Sequence, residues 1–171
     1  DGVYVTCCNL NGPVGLAYLP YLAFMRSSDG PVINFYNEAT VRELVNGKDS
    51  LTLDIHTDYP ESGHVVIKVN PAKSAKFAVT LHIPSWSRRT LLRVNGRRQK
   101  ASPGTYRKIE RTWAPGDVIT MDFDMRCRVI PSPEGSREGA GGFVAVLRGP
   151  VVLARDENID SHYSEPVRIQ V

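Results

Sequence analysis

The chain has 171 residues, room for one domain or for one domain and part of another. Hydrophobic residues make up 42% and charged residues 23%, a globular balance that excludes a disordered chain. A net charge of +3 is too small to mark a nucleic-acid binder, and no apolar run reaches the ~18 residues that span a bilayer. In chain order, Asn11-Gly12-Pro13 reads as a helix start, with a capping side chain followed by Pro at the first helical position. The spacing predicts a helix over 14–26, in which Val14, Leu16, Ala17, Leu19, Leu22, Ala23, Phe24 and Met25 leave no polar face. Pro20 should kink it, and Ser27-Ser28-Asp29-Gly30-Pro31 should end it.

From Val32 onward the period is two. Leu51, Leu53 and Ile55 alternate with polar residues, as do Phe77, Val79, Leu81 and Ile83, and Ile119, Met121, Phe123 and Met125. Shorter strands are predicted over 32–36, 40–45, 64–69, 91–94, 106–111, 143–147 and 151–154. Turn signals such as Asn46-Gly47, Asn95-Gly96 and Pro115-Gly116 separate them, and 134–142 reads as a flexible surface loop. Strands so short and so spaced predict a mainly β chain, an antiparallel β-sandwich preceded by one orphan helix. One face of a small sandwich cannot cover a helix that is apolar all round. The expected division is therefore 1–30, the tail of a helical domain, and 31–171, a β-sandwich domain. The partner of the helix at 13–26 would be the missing helical domain or a second copy of the chain.

Several residues could carry chemistry. Cys7 and Cys8 are adjacent, and with Cys127 as the third cysteine they build no disulfide framework. The pair reads as core filling, as zinc ligands or as a reactive thiolate, because sulfur binds zinc well and coordination keeps it ionised. Cys127 falls in a late strand and reads as a buried structural thiol. His56, His64, His82 and His162 lack the spacing of a zinc pair. Between Arg88 and Arg111 stand nine Lys or Arg against one acid, Glu110, a basic stretch that could hold an anion or simply solvate a turn. Trp86 and Trp113 sit at strand ends, where each could stack on a sugar or plug the sandwich. Glu38 is a candidate isolated acid, and Asp122 and Asp124 share one strand face.

The run Cys7-Cys8-Asn9-Leu10-Asn11-Gly12-Pro13-Val14-Gly15-Leu16 resembles the Cys-Cys-x-x-Asn-Gly-Pro-x-Gly-Leu signature of the β-L-arabinofuranosidase-like enzymes, glycoside hydrolase family 127 and its relatives. Asn34-Phe35-Tyr36, Thr57-Asp58-Tyr59-Pro60, Leu81-His82-Ile83-Pro84-Ser85-Trp86, Val94-Asn95-Gly96 and Arg148-Gly149-Pro150 are similar to its β-domain segments, in the same order. The resemblance implies an (α/α)₆ barrel, here truncated, followed by β-sandwich domains. It implies Cys7 as nucleophile of a retaining mechanism, and Cys7 and Cys8 as ligands of zinc in the parent enzyme. The family's other zinc ligands and its acid/base Glu precede the cysteine pair, so this chain is expected to be inactive alone and to hold zinc weakly. The implied partner is an arabinose-containing glycan, with no nucleic acid and no membrane. The compartment stays open between bacterial cytoplasm and periplasm. The competing reading is a non-catalytic carbohydrate-binding or structural β-sandwich domain.

Overall fold

A computed structural model describes residues 7–132 and 143–165, with side chains from Asn11 onward. The expected loop over 134–142 lies outside the described residues. Helix α1 (Cys7–Ala23) leads into strand β1 (Phe24–Ser27), which turns back through Ser28-Asp29 onto β2 (Gly30–Ile33). Two corrections follow. The helix contains Pro13 rather than starting on it, and it ends at Ala23, so Phe24, Met25 and Arg26 are strand residues. Tertiary pairing decides this point: Asp29 accepts from the Ala78 N–H at 2.8 Å, and β2 runs parallel to β6 (Ala75–Ile83) with Val32 opposite Thr80. Gly30 makes the approach possible. Its φ is 139°, and a Cβ there would stand 2.2 Å from the Ala78 carbonyl oxygen. Strand pairing thus begins at Phe24.

One sheet runs β1-β2-β6-β9, with β9 at Thr105–Trp113. A second, in the order β3-β4-β5-β10-β7-β8, contains β3 (Ala39–Val45), β4 (Asp49–Thr57), β5 (His64–Pro71), β7 (Leu91–Val94), β8 (Arg97–Gln99) and β10 (Asp117–Asp122). All pairs in these two sheets except β2–β6 are antiparallel. Alternation selects the inner faces: Leu51, Leu53 and Ile55 of β4, Ile67 of β5 and Ile119 of β10 pack with Val79, Leu81 and Ile83 of β6 in one core, all fully buried. Each such side chain contributes about 1.5–3 kcal/mol by leaving water. Trp113 closes the core, with its indole N–H donating to the Phe77 carbonyl at 3.1 Å and its ring 6.1 Å from that of Phe77. The β7–β8 hairpin turns on Asn95 and Gly96, whose φ values of 48° and 76° suit a two-residue primed turn.

A third sheet pairs β11 (Cys127–Pro131), β12 (Val144–Arg148) and β13 (Val151–Leu153). Its side chains stay largely outside the core, and Cys127 is exposed rather than buried as expected. The strand alternation that points a residue inward counts only where a second sheet covers that face.

The helix is uncovered as well. Every residue from Asn11 to Leu22 is exposed, Leu16 at 73% and Tyr21 at 76%, and only Ala23 tucks against the sandwich. Asn34 fastens its end: the side-chain amide donates to the Leu22 carbonyl at 2.7 Å and the backbone N–H to that of Ala23 at 2.9 Å. These two bonds satisfy carbonyls that a helix end leaves free. Among the described residues no helix is long and apolar enough to cross a membrane.

Candidate functional site

Just past the end of α1 the surface sinks into a pocket of about 480 Å³. Its walls come from distant parts of the chain: Asn34, Phe35 and Tyr36 after β2, Tyr59 after β4, His82, Pro84, Ser85 and Trp86 at and past the end of β6, and Pro150 between β12 and β13. Strand ends carry these residues because the chain must leave the sheet there, and Pro84, Pro150 and the left-handed Gly104 (φ 71°) shape the exits. The pocket is backed by the core. Phe123 stands 5.2 Å from Tyr36, 5.9 Å from Tyr59 and 5.7 Å from Trp86, ring to ring, and the Tyr59 and Trp86 rings lie within 16° of parallel. Trp86 is half-buried, so it lines this pocket, whereas Trp113 is the plug.

Polar atoms punctuate the aromatic wall. The Tyr36 hydroxyl donates to the His82 carbonyl at 2.6 Å, and burial pushes its proton affinity up, so it stays a neutral donor. Burial also raises the Tyr59 hydroxyl. Tyr106 donates to the Asn34 side-chain oxygen at 2.8 Å and packs its ring 5.1 Å from His82, joining the helix cap to the pocket rim. Among the described residues the Tyr59 hydroxyl, the Ser85 hydroxyl and the His82 imidazole make no hydrogen bond. Of this set Trp86 and His82 stood out by residue type, and Asn34 to Tyr36, Tyr59, Pro84, Ser85 and Pro150 stood only within the segments similar to the family's β domain; their shared signal is an aromatic or polar residue at or just past a strand end.

The remaining candidates are dispersed and satisfied. Glu38 accepts from the Thr57 N–H at 2.8 Å and from His56 at 2.9 Å, and these bonds hold its carboxyl below the usual range. An acid kept ionised in this way is a poor proton donor. Asp122 accepts from Arg93 at 3.1 Å and pairs with His64 at 2.7 Å, while Asp124 takes a two-bonded Arg126 that lowers its carboxyl. His162 pairs with Glu165. The basic stretch is partly neutralised from other strands, Lys108 by Asp29 at 2.6 Å and Arg111 by Asp117 at 3.6 Å, whereas Arg97 and Arg98 remain exposed.

Cys7 and Cys8 open α1, and their side chains lie outside those described. Two neighbouring thiols suit zinc by donor chemistry, yet they supply half of a four-ligand set. Among the described residues no group of three or more His, Cys, Asp or Glu side chains is placed to hold a metal ion by itself.

Comparison with known proteins supplies context for this geometry. A family profile, that of the β-L-arabinofuranosidase GH127 middle domain, matches residues 32–125. No curated protein sequence matches. Among solved structures, a glycoside hydrolase superposes with a TM-score of 0.79 at 31% identity, over 88% of this chain and 25% of its own. A GH127 β-L-arabinofuranosidase from Geobacillus stearothermophilus T6 does so with a TM-score of 0.76 at 29% identity, over 85% and 23%. A GH127 β-arabinofuranosidase gives 0.75 at 27% identity, over 85% and 25%. The chain spans about a quarter of the length of each.

Proposed function

Because this chain belongs to the GH127 β-L-arabinofuranosidase family, we propose that it serves as the β-sandwich unit of a longer retaining glycoside hydrolase acting on β-L-arabinofuranosides, with α1 delivering the catalytic cysteine. The observation that carries this reading is the uncovered helix. A segment apolar on every side, capped by Asn34 onto a finished sandwich, suits a unit that lends its helix to a neighbouring helical domain.

In the proposed reaction the Cys7 thiolate attacks the anomeric carbon, a carbon–sulfur bond forms, and the glycosidic carbon–oxygen bond breaks. The leaving oxygen takes a proton from an acid outside the described residues, since Glu38, the isolated acid among the candidates, is held ionised. Water then attacks the anomeric carbon and gives its proton back to that acid's conjugate base, while the carbon–sulfur bond breaks to release the sugar and restore the thiolate. Cys7 and Cys8 would hold zinc together with ligands from elsewhere, and bound zinc would supply a positive charge that keeps the thiolate ionised.

The experiment is turnover of p-nitrophenyl β-L-arabinofuranoside by the chain alone and by the chain fused behind the helical region of a GH127 relative. Turnover is expected only in the fusion, and Cys7→Ser should lower it by about 10³-fold or more. Hydrolysis by the chain alone would overturn the division of labour. A fusion that stays active with Ser at position 7 would overturn the nucleophile.

A further inference from the structure

We propose that the pocket below the end of α1 is a sugar-binding site, separate from the cysteine pair, that takes a neutral glycosyl unit of the glycan. This inference rests on the glycosidase reading for the kind of sugar and on the pocket's own chemistry for the binding.

Three observations carry it. The wall is aromatic and firm, because Tyr59 and Trp86 lie near-parallel against Phe123, which is itself in the core. A ring that is already packed loses little freedom when a sugar lays its C–H face against it. Second, the polar atoms along the wall have capacity to spare: the Tyr59 and Ser85 hydroxyls and the His82 imidazole make no hydrogen bond among the described residues, and each can meet a sugar hydroxyl. Third, the lining carries no Asp, Glu, Lys or Arg, so a neutral ligand suits it better than an acidic one.

An apolar side chain from a neighbouring helix is the rival occupant. It would fill the aromatic part and leave those three polar groups dry and unpaired, which costs free energy for each. A polyol satisfies both halves of the wall. The volume of about 480 Å³ lies within the range of small-molecule sites.

The test titrates the full 171-residue chain with methyl β-L-arabinofuranoside while tryptophan emission is read. Trp113 is sealed in the core, whereas Trp86 lines this pocket and also a neighbouring depression with Arg88 and Arg126. A saturable change that vanishes in Trp86→Phe therefore reports binding beside Trp86 while Trp113 still reports the fold, and the His82 variant assigns it to this pocket. His82→Ala is the second variant. The Tyr36 bond uses the His82 carbonyl, so the fold keeps that contact, and binding should weaken about tenfold, the loss of one good hydrogen bond. No saturable change in a folded chain up to about 0.1 M sugar, well above a millimolar dissociation constant, would overturn the proposal. So would binding that His82→Ala leaves unaltered. Either failure leaves the Cys7 assignment standing, because that is read by turnover of the fusion.

Discussion

The sandwich and the helix are built from equally apolar sequence and meet opposite fates. In β4 the residues Leu51, Leu53 and Ile55 are wholly buried by β5, β6 and β10, whereas in α1 Leu16, Leu19 and Leu22 lie open. The difference is periodicity. A period of two gives each strand one inner face that a second sheet can cover completely, but a helix apolar at every angle needs neighbours on all sides. One region carries its stability within the chain; the other draws its own from whatever packs around it.

This contrast can be broken by substitution. Trp113→Ala should remove about 3–5 kcal/mol, since it empties the plug of the core and leaves the Phe77 carbonyl without its indole donor. Urea unfolding checks it, and a loss below about 1 kcal/mol would mean that the sandwich does not depend on its centre.

A smaller effect is expected at Asp117. Burial raises its carboxyl, but the Ala114 N–H at 2.9 Å, the Asn95 amide at 2.7 Å and the Arg111 guanidinium together outweigh this and hold it below the ordinary 3.8. A folded-state value below the unfolded one means stability that is present above the unfolded value and lost as pH falls through the folded value. Asp117→Asn should therefore lower the unfolding temperature at about pH 7 and lower it less at about pH 2.5, below the ordinary 3.8, where the unfolded chain's carboxyl is already protonated and part of the ionic advantage is gone. A deficit that is equal at both pH values would contradict the ionic account.

The smallest effect belongs to the helix. Leu16→Ala should leave the stability of the chain within about 0.5 kcal/mol of wild type, because the side chain touches no core. A loss comparable to that of a buried leucine would show that the helix is covered after all.

Much of this division was legible in the residues. The alternation at 51–55 and 77–83 located the inner faces, and the absence of a polar stripe over 14–25 marked a helix that the sandwich could not cover. The misreadings arose where long-range pairing overrides local pattern. Phe24-Met25-Arg26 continues the apolar run of the helix, yet the parallel seat on β6 draws it into a hairpin, and Gly30 opens the space for that seat. Strand β8 holds two arginines and a glutamine, with no apolar signal, and exists because Asn95-Gly96 folds it back on β7. Cys127 has the look of an inward strand residue, but among the described residues no second layer covers it. The pocket was the least legible part, since four short pieces become a wall only when the strand ends meet.

Hydrogen exchange measured along the chain tests the central claim most directly. Slow exchange through β4, β5, β6 and β10 with fast exchange over Asn11–Leu22 is the predicted pattern, the helix slowing only when the helical region of a GH127 relative is joined to it. A helix as protected as the sandwich in the monomeric chain alone would contradict the account.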